Sequence, residues 1–189
     1  EGALGLSSGL YYAPASYAST EEIIELAKIA GEYGAPYDTH IRDESTYSVG
    51  LLNAINEAIE ISRQSGAPLH LAHIKALGVD VWGYSDAVIA AVEAAHAEGI
   101  KVTADQYPWS ASGTRISNAL IPNWAKADSD EAMFARLRDP DNQDRLMDEI
   151  TENLRKRGGS DAILLVARAN GRPSETLTAE AERRGSDPV

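Results

Sequence analysis

Of the four histidines in this chain, two stand at matching points of its pattern. His40 closes the stretch APYDTH and is followed by the charged turn Arg42-Asp43-Glu44. His73 lies in APLHLAHIKALG, 73 − 40 = 33 positions later, where a small residue, a proline and a short apolar run again precede it. A single histidine at the end of a strand is commonly a hydrogen-bonded core residue. Two at equivalent points of successive units favour a shared metal ion, because imidazole is a common zinc ligand and strand ends are where such ligands gather. The chain has no Cys, so a metal here must use imidazole, carboxylate or water.

Elements of constant length must deliver those two residues. Strands are expected at Leu4–Gly9, Pro36–His40, Pro68–His73 and Ile100–Asp105, a period close to 32. Between them run amphipathic helices. The first opens on a capping box, Ser19 with Glu22, carries Ile23, Ile24, Leu26, Ala27 and Ala30 on its inner stripe, and stops at Gly34. The second is expected over about 48–64 and the third over about 85–98, with Val88, Ile89, Val92 and Ala95 inward. Sustained βα alternation means a parallel sheet whose strand ends share one face. The even period favours a (β/α)₈ barrel over an open doubly wound sheet. About five βα units fit in the chain, so a partial TIM barrel is the expected α/β fold.

The rhythm breaks after Ser110. A polar loop, Ser112-Gly113-Thr114, leads into two expected helices between Trp124 and Ser160, then a strand at Ala162–Ala167 and a short helix at Thr176–Arg184. The expected organisation is barrel repeats over 1–115, a lid-like helical insertion over 116–160 and a return to the barrel over 161–189.

Other residues support or dilute the metal reading. Strand alternation puts His70 on the opposite face from His73, toward the helices. His96 falls at a helix C-terminus, where a cation is mildly favoured. Lys75 follows His73 by two and could hold a carboxylate or polarise a carbonyl. Arg42 with Asp43 and Glu44 reads as an internal ion-pair network. Asp105, at a strand end, suits a ligand, a base or a dipole partner. Tyr12 and Tyr107 lie just past strand ends, where a hydroxyl could stabilise an oxyanion. A net charge of −12 argues against a nucleic-acid partner, and no apolar run is long enough for a membrane span. The start, without Met or a leader-like pattern, suggests an excerpt of a longer, cytoplasmic protein.

GALGLSSGLYYAP, YDTHIRDES, HLAHIKALG, WGYSDAV and TADQYPW together resemble the N-acyl-D-amino-acid deacylase (D-aminoacylase) family of the amidohydrolase superfamily. The resemblance implies a (β/α)₈ barrel with a small β-sandwich, and zinc-dependent hydrolysis of an N-acyl-D-amino acid to a carboxylate and a D-amino acid. It implies His40 and His73 as zinc ligands, Lys75 beside the site, and Tyr12 and Tyr107 at the substrate pocket. Ser112 or Thr114 corresponds to a pocket serine. Lys75 and Tyr107 are the expected contributors to catalysis; Tyr12, Tyr107 and Ser112 are the expected substrate contacts. The family's HxH pair, bridging cysteine, late aspartate base and late arginine have no counterpart in this chain, so they are expected outside it. Alternatives are a related cyclic amidohydrolase of the hydantoinase or dihydroorotase kind, and an inactive scaffold. A small-molecule partner is expected, and no oligomeric state follows from the residues.

Overall fold

A computed structural model describes residues 2–166 and 171–189. The chain divides into two units, Glu1–Ser112 and Gly113–Val189.

The first unit holds four strands, β1 (Leu6–Gly9), β2 (Tyr37–His40), β3 (Leu69–Leu71) and β4 (Val102–Ala104), joined by helices α1 (Thr20–Glu32), α2 (Leu51–Ser65) and α3 (Ser85–Ala97). The strands form one parallel sheet in the order β1-β2-β3-β4. Because the order never reverses, right-handed crossovers put all three helices on one face. Register then sorts the side chains. Leu6, Tyr37, Leu69 and Val102 share a row, and the last three are buried in the core with Ile23, Ile24 and Ala27 of α1 and Ile55 and Ile59 of α2. The next row, Ser7, Asp38, His70 and Thr103, points to the other face and is linked by hydrogen bonds between Ser7 and Asp38 and between His70 and Thr103.

Local chemistry explains most boundaries. Ser19 accepts from the Glu22 amide to start α1, and Gly66, in the left-handed region at φ 74°, ends α2. Gly31 lets α1 and α2 touch: a Cβ there would lie 2.1 Å from the Ser65 carbonyl oxygen. The second helix starts at Leu51 rather than near Ser48, because the Asp43 carboxylate takes the Ser48 and Gly50 amides and holds them in the loop. Leu26 and Ile89, expected inward, are exposed.

The second unit comprises α4 (Ile116–Leu120), α5 (Asp130–Arg138), α6 (Gln143–Lys156), β5 (Leu164–Leu165), β6 (Glu175–Thr176) and α7 (Leu177–Arg184). Its small core gathers Ala119, Leu120 and Leu154, with Ile150, Ile163 and Leu177 against them. The strand expected at 162–167 is the two-residue β5, which pairs antiparallel with β6; Ala167 lies outside the described residues. No helix among the described residues is long and apolar enough to cross a membrane.

Candidate metal centre

His40 is the last residue of β2, and the chain leaving it is pinned at each step. Ile41 is buried. Arg42 donates to both carboxylate oxygens of Glu57 on α2 at 2.8–3.0 Å, and to the carbonyls of Ser16 and Ala18 at 2.9 Å. Its guanidinium is held above the usual arginine range chiefly by the hydrogen bonds to Glu57. Asp43, fully buried, accepts from the amides of Ser45, Ser48 and Gly50. The loop that follows a strand-end histidine is thus rigid, with Glu44 turned inward and 4% exposed.

His73 arrives by a different device. The strand β3 stops at Leu71, and His73 adopts φ 38°, in the left-handed region. Its amide donates to the Asp105 carboxylate, and the Ile74 amide donates to the Asp105 carbonyl at 2.9 Å. Asp105 is held below the usual carboxylate range, first by that amide of His73. The turn breaks the two-residue alternation, which corrects the expectation for His70. His70 lies on the face of Asp38 and His40, bonded to Thr103 with Asp105 3.5 Å away, not toward the helices.

The six residues singled out from the sequence form one chain of contacts. The Tyr12 ring lies 4.8 Å from the His40 ring. His40 Nδ1 and His73 Nε2 are 2.9 Å apart. Lys75 Nζ donates to His73 Nδ1 at 2.8 Å and also binds Glu44. It sits 5.7 Å from the centre of the Tyr107 ring, and Ser112 lies close enough to the Tyr107 hydroxyl to offset part of its upward pKa shift. Thr114 belongs to the second unit. His96 donates to the Val102 carbonyl at 2.8 Å, a structural bond away from this group.

Sequence reasoning missed Glu44 as a site residue, and Tyr11 and Tyr47 as neighbours. Glu44 Oε1 lies 3.7 Å from His40 Nε2 and 3.4 Å from His73 Nδ1, and ion-pairs with Lys75. Arg42, read as its partner, belongs to Glu57. The Tyr11 ring is 5.4 Å from His40 and edge-on to both Tyr12 and Tyr47. A carboxylate four residues past a strand-end histidine was the available signal for Glu44.

Two imidazoles and a carboxylate offering ligand atoms within 4.8 Å of one another fit a divalent cation. A borderline-soft ion such as zinc takes that donor set. The Nε2 atom of His40 is buried and has no hydrogen-bond partner among the described residues, so one potential ligand atom is left unsatisfied. Burial, reinforced by the nearby His73 and Lys75, pushes the His40 pKa down to about 3. It is therefore a neutral imidazole near pH 7, the form that can ligate. Burial and the Glu44 charge raise Tyr107 above the usual phenol range, keeping its hydroxyl a donor.

No protein-family model matches the chain. It is 37% identical over 120 residues to a D-aminoacylase from Alcaligenes xylosoxydans xylosoxydans, covering 64% of this chain and 24% of that protein. It is 36% identical over 124 residues to the N-acyl-D-glutamate deacylase of the same organism, covering 66% and 24%. Among solved structures, N-acyl-D-glutamate deacylase from Bordetella bronchiseptica, complexed with zinc and a phosphonate inhibitor, is similar at a TM-score of 0.69. That match has 26% identity and covers 99% of this chain and 32% of the other. The chain thus spans about a quarter of the curated relatives it matches.

Proposed function

From a chain that is a relative of D-aminoacylase and of the N-acyl-D-glutamate and N-acyl-D-aspartate deacylases, we propose a function: it is the part of a zinc-dependent N-acyl-D-amino-acid deacylase that supplies two histidine ligands and one side of the substrate pocket. The observation carrying this reading is the meeting of His40 and His73, from neighbouring parallel strands, beside a buried carboxylate. The unreversed strand order and one-sided helices support a partial (β/α)₈ barrel, whose strand ends form one mouth. In this reading, residues 116–160 are the lid-like insertion and 161–189 rejoin the barrel in the full-length protein.

His40, Glu44 and His73 are the residues that would hold the ion. Bound there, zinc would supply Lewis-acid polarisation of the amide carbonyl and a water nucleophilic near neutral pH. The chain's own groups divide the remaining work. His40, neutral down to low pH, offers a lone pair without first losing a proton. Glu44 contributes the negative charge that offsets a cation in a half-buried site. Lys75 lies over the Tyr107 ring, so the ammonium and the phenol are neighbours. They suit the two negative groups of the reaction, the substrate carboxylate and the oxyanion that develops on the amide carbonyl. Tyr12, against His40, walls the pocket.

The test is replacement of His40 or His73 by Ala in the full-length protein, with hydrolysis of N-acetyl-D-amino acids and zinc content measured together. Both should fall to background. Full activity with full zinc in either variant refutes the assignment.

A further inference from the structure

His70 is the middle residue of β3 and has no part in the chemistry above, yet its ring reaches two residues of the neighbouring chain segment at once. Alternation along β4 and just past its end puts Thr103 and Asp105 on one face, two positions apart, and His70 stands opposite Thr103 in the register. Its Nδ1 is 2.8 Å from the Thr103 hydroxyl, and its Nε2 is 3.5 Å from Asp105 Oδ2. Thr103 is tied back to the Leu69 carbonyl at 3.3 Å, so one end of this bracket is anchored to the backbone of β3. The other end meets a carboxylate whose side chain is 65% exposed, and His70 is the only side chain paired with it among the described residues. The second oxygen of that carboxylate, Oδ1, accepts from the His73 amide. His73 holds φ 38°, a backbone conformation that L-residues seldom adopt and that persists only where the surroundings impose it. Contacts therefore run unbroken from Thr103 through His70 and Asp105 to the turn that aims the His73 ring.

Building on the metal-centre reading above, we propose that His70 is a positioning residue of that centre: it fixes the rotamer of the Asp105 carboxylate, and the carboxylate fixes the left-handed turn at His73. An exposed aspartate has several staggered rotamers open to it, and the contact with His70 selects the one that presents Oδ1 to the His73 amide. Without His70 the carboxylate turns to water and the His73 amide loses its acceptor. The turn then relaxes toward ordinary strand geometry and carries the ring away from His40. An apolar side chain at position 70 would fill the same space but could make neither contact. Partners that orient a ligand in this way typically cost about 10–100-fold in metal affinity when they are removed.

The experiment compares wild type, His70→Phe, His70→Gln, His70→Asn, Asp105→Ala, the double variant His70→Phe/Asp105→Ala and His73→Ala in the full-length protein. Zinc affinity is read by competition with a chromophoric chelator, and hydrogen exchange of the peptide spanning 72–77 is read in metal-free protein. His70→Phe should weaken zinc binding about tenfold or more and speed exchange at 72–77. His70→Gln, whose amide nitrogen stands where Nε2 does, should restore both. His70→Asn keeps only the contact to Thr103 and should not. On Asp105→Ala the His70→Phe change should add nothing, because the bracket is already cut. Wild-type behaviour of His70→Phe, rescue by Asn rather than Gln, or an additive double variant each overturns the proposal. A lowered urea midpoint without that order among the variants marks a merely structural histidine and overturns it too. Zinc binding that survives His73→Ala undiminished overturns the metal-centre reading instead, and the exchange measurement then judges the hold of His70 on the turn separately.

Discussion

Replacing Arg42 by Met tests whether the site depends on the rigidity of the loop that leaves β2. Arg42 and Glu57 are each about 12% exposed at the side chain, so this ion pair is largely withdrawn from water. The guanidinium also satisfies two carbonyls from the segment before α1. Removing one partner of a buried pair leaves the other charge uncompensated, which costs about 3–5 kcal/mol. Thr20 still donates to Glu57, which places the expectation toward the lower end. Arg42→Lys keeps the charge but loses the planar fork, so an intermediate loss is expected. The double variant Arg42→Met/Glu57→Met carries no stranded charge and should be less damaging than the sum of the two single changes. Urea unfolding of the full-length protein reads these differences, and zinc affinity reads their effect on the site. Because Arg42 lies midway between His40 and Glu44, affinity should fall in the single variant and partly recover in the double. A loss below about 1 kcal/mol in Arg42→Met, or strict additivity in the double, would refute the reasoning.

Three further outcomes follow from the geometry. His40 has a folded pKa of about 3, below its unfolded value near 6.5, so the folded state binds fewer protons between the two. Its contribution is full above pH 6.5 and is lost as pH falls toward 3, by about 1.4 kcal/mol per pH unit across that window. Urea unfolding at several pH values should show this slope, flattened in His40→Asn. Gly31→Ala drives a methyl to 2.1 Å from the Ser65 carbonyl; overpacking against backbone should destabilise by about 3 kcal/mol, visible as a lowered urea midpoint. Asp105→Ala frees the His73 amide from the carboxylate that fixes its turn and should weaken zinc binding about 10–100-fold. Asp105→Asn keeps an acceptor oxygen and should stay near wild type in both zinc affinity and turnover. Loss of turnover alone in the Asn variant would favour a proton-transfer role for Asp105.

Much of this arrangement was legible in the residues. Proline-led strands at a 32-residue interval, the Ser19–Glu22 cap and the Gly34 stop after the first helix are local signals, and each sits where it was read. The pairing of His40 with His73 followed from the repeat. What was hidden came from long-range competition. Asp43 captures the amides that would have begun α2 early, a choice visible only once the loop is folded. His73 departs from strand geometry because Asp105, just past the end of β4, takes its amide, and that reversed the expected facing of His70. Charge adjacency suggested Arg42 with Glu44, whereas the fold gives Arg42 to Glu57 and Glu44 to Lys75. The antiparallel pairing of β5 with β6 likewise depends on residues ten or more apart.

The most direct measurement is anomalous diffraction at the zinc absorption edge from crystals of the full-length protein grown with zinc. The account predicts a peak within bonding distance of a ring nitrogen of His40 and of His73. A fully occupied zinc peak bound elsewhere, with the two imidazoles still hydrogen-bonded to each other, would contradict it.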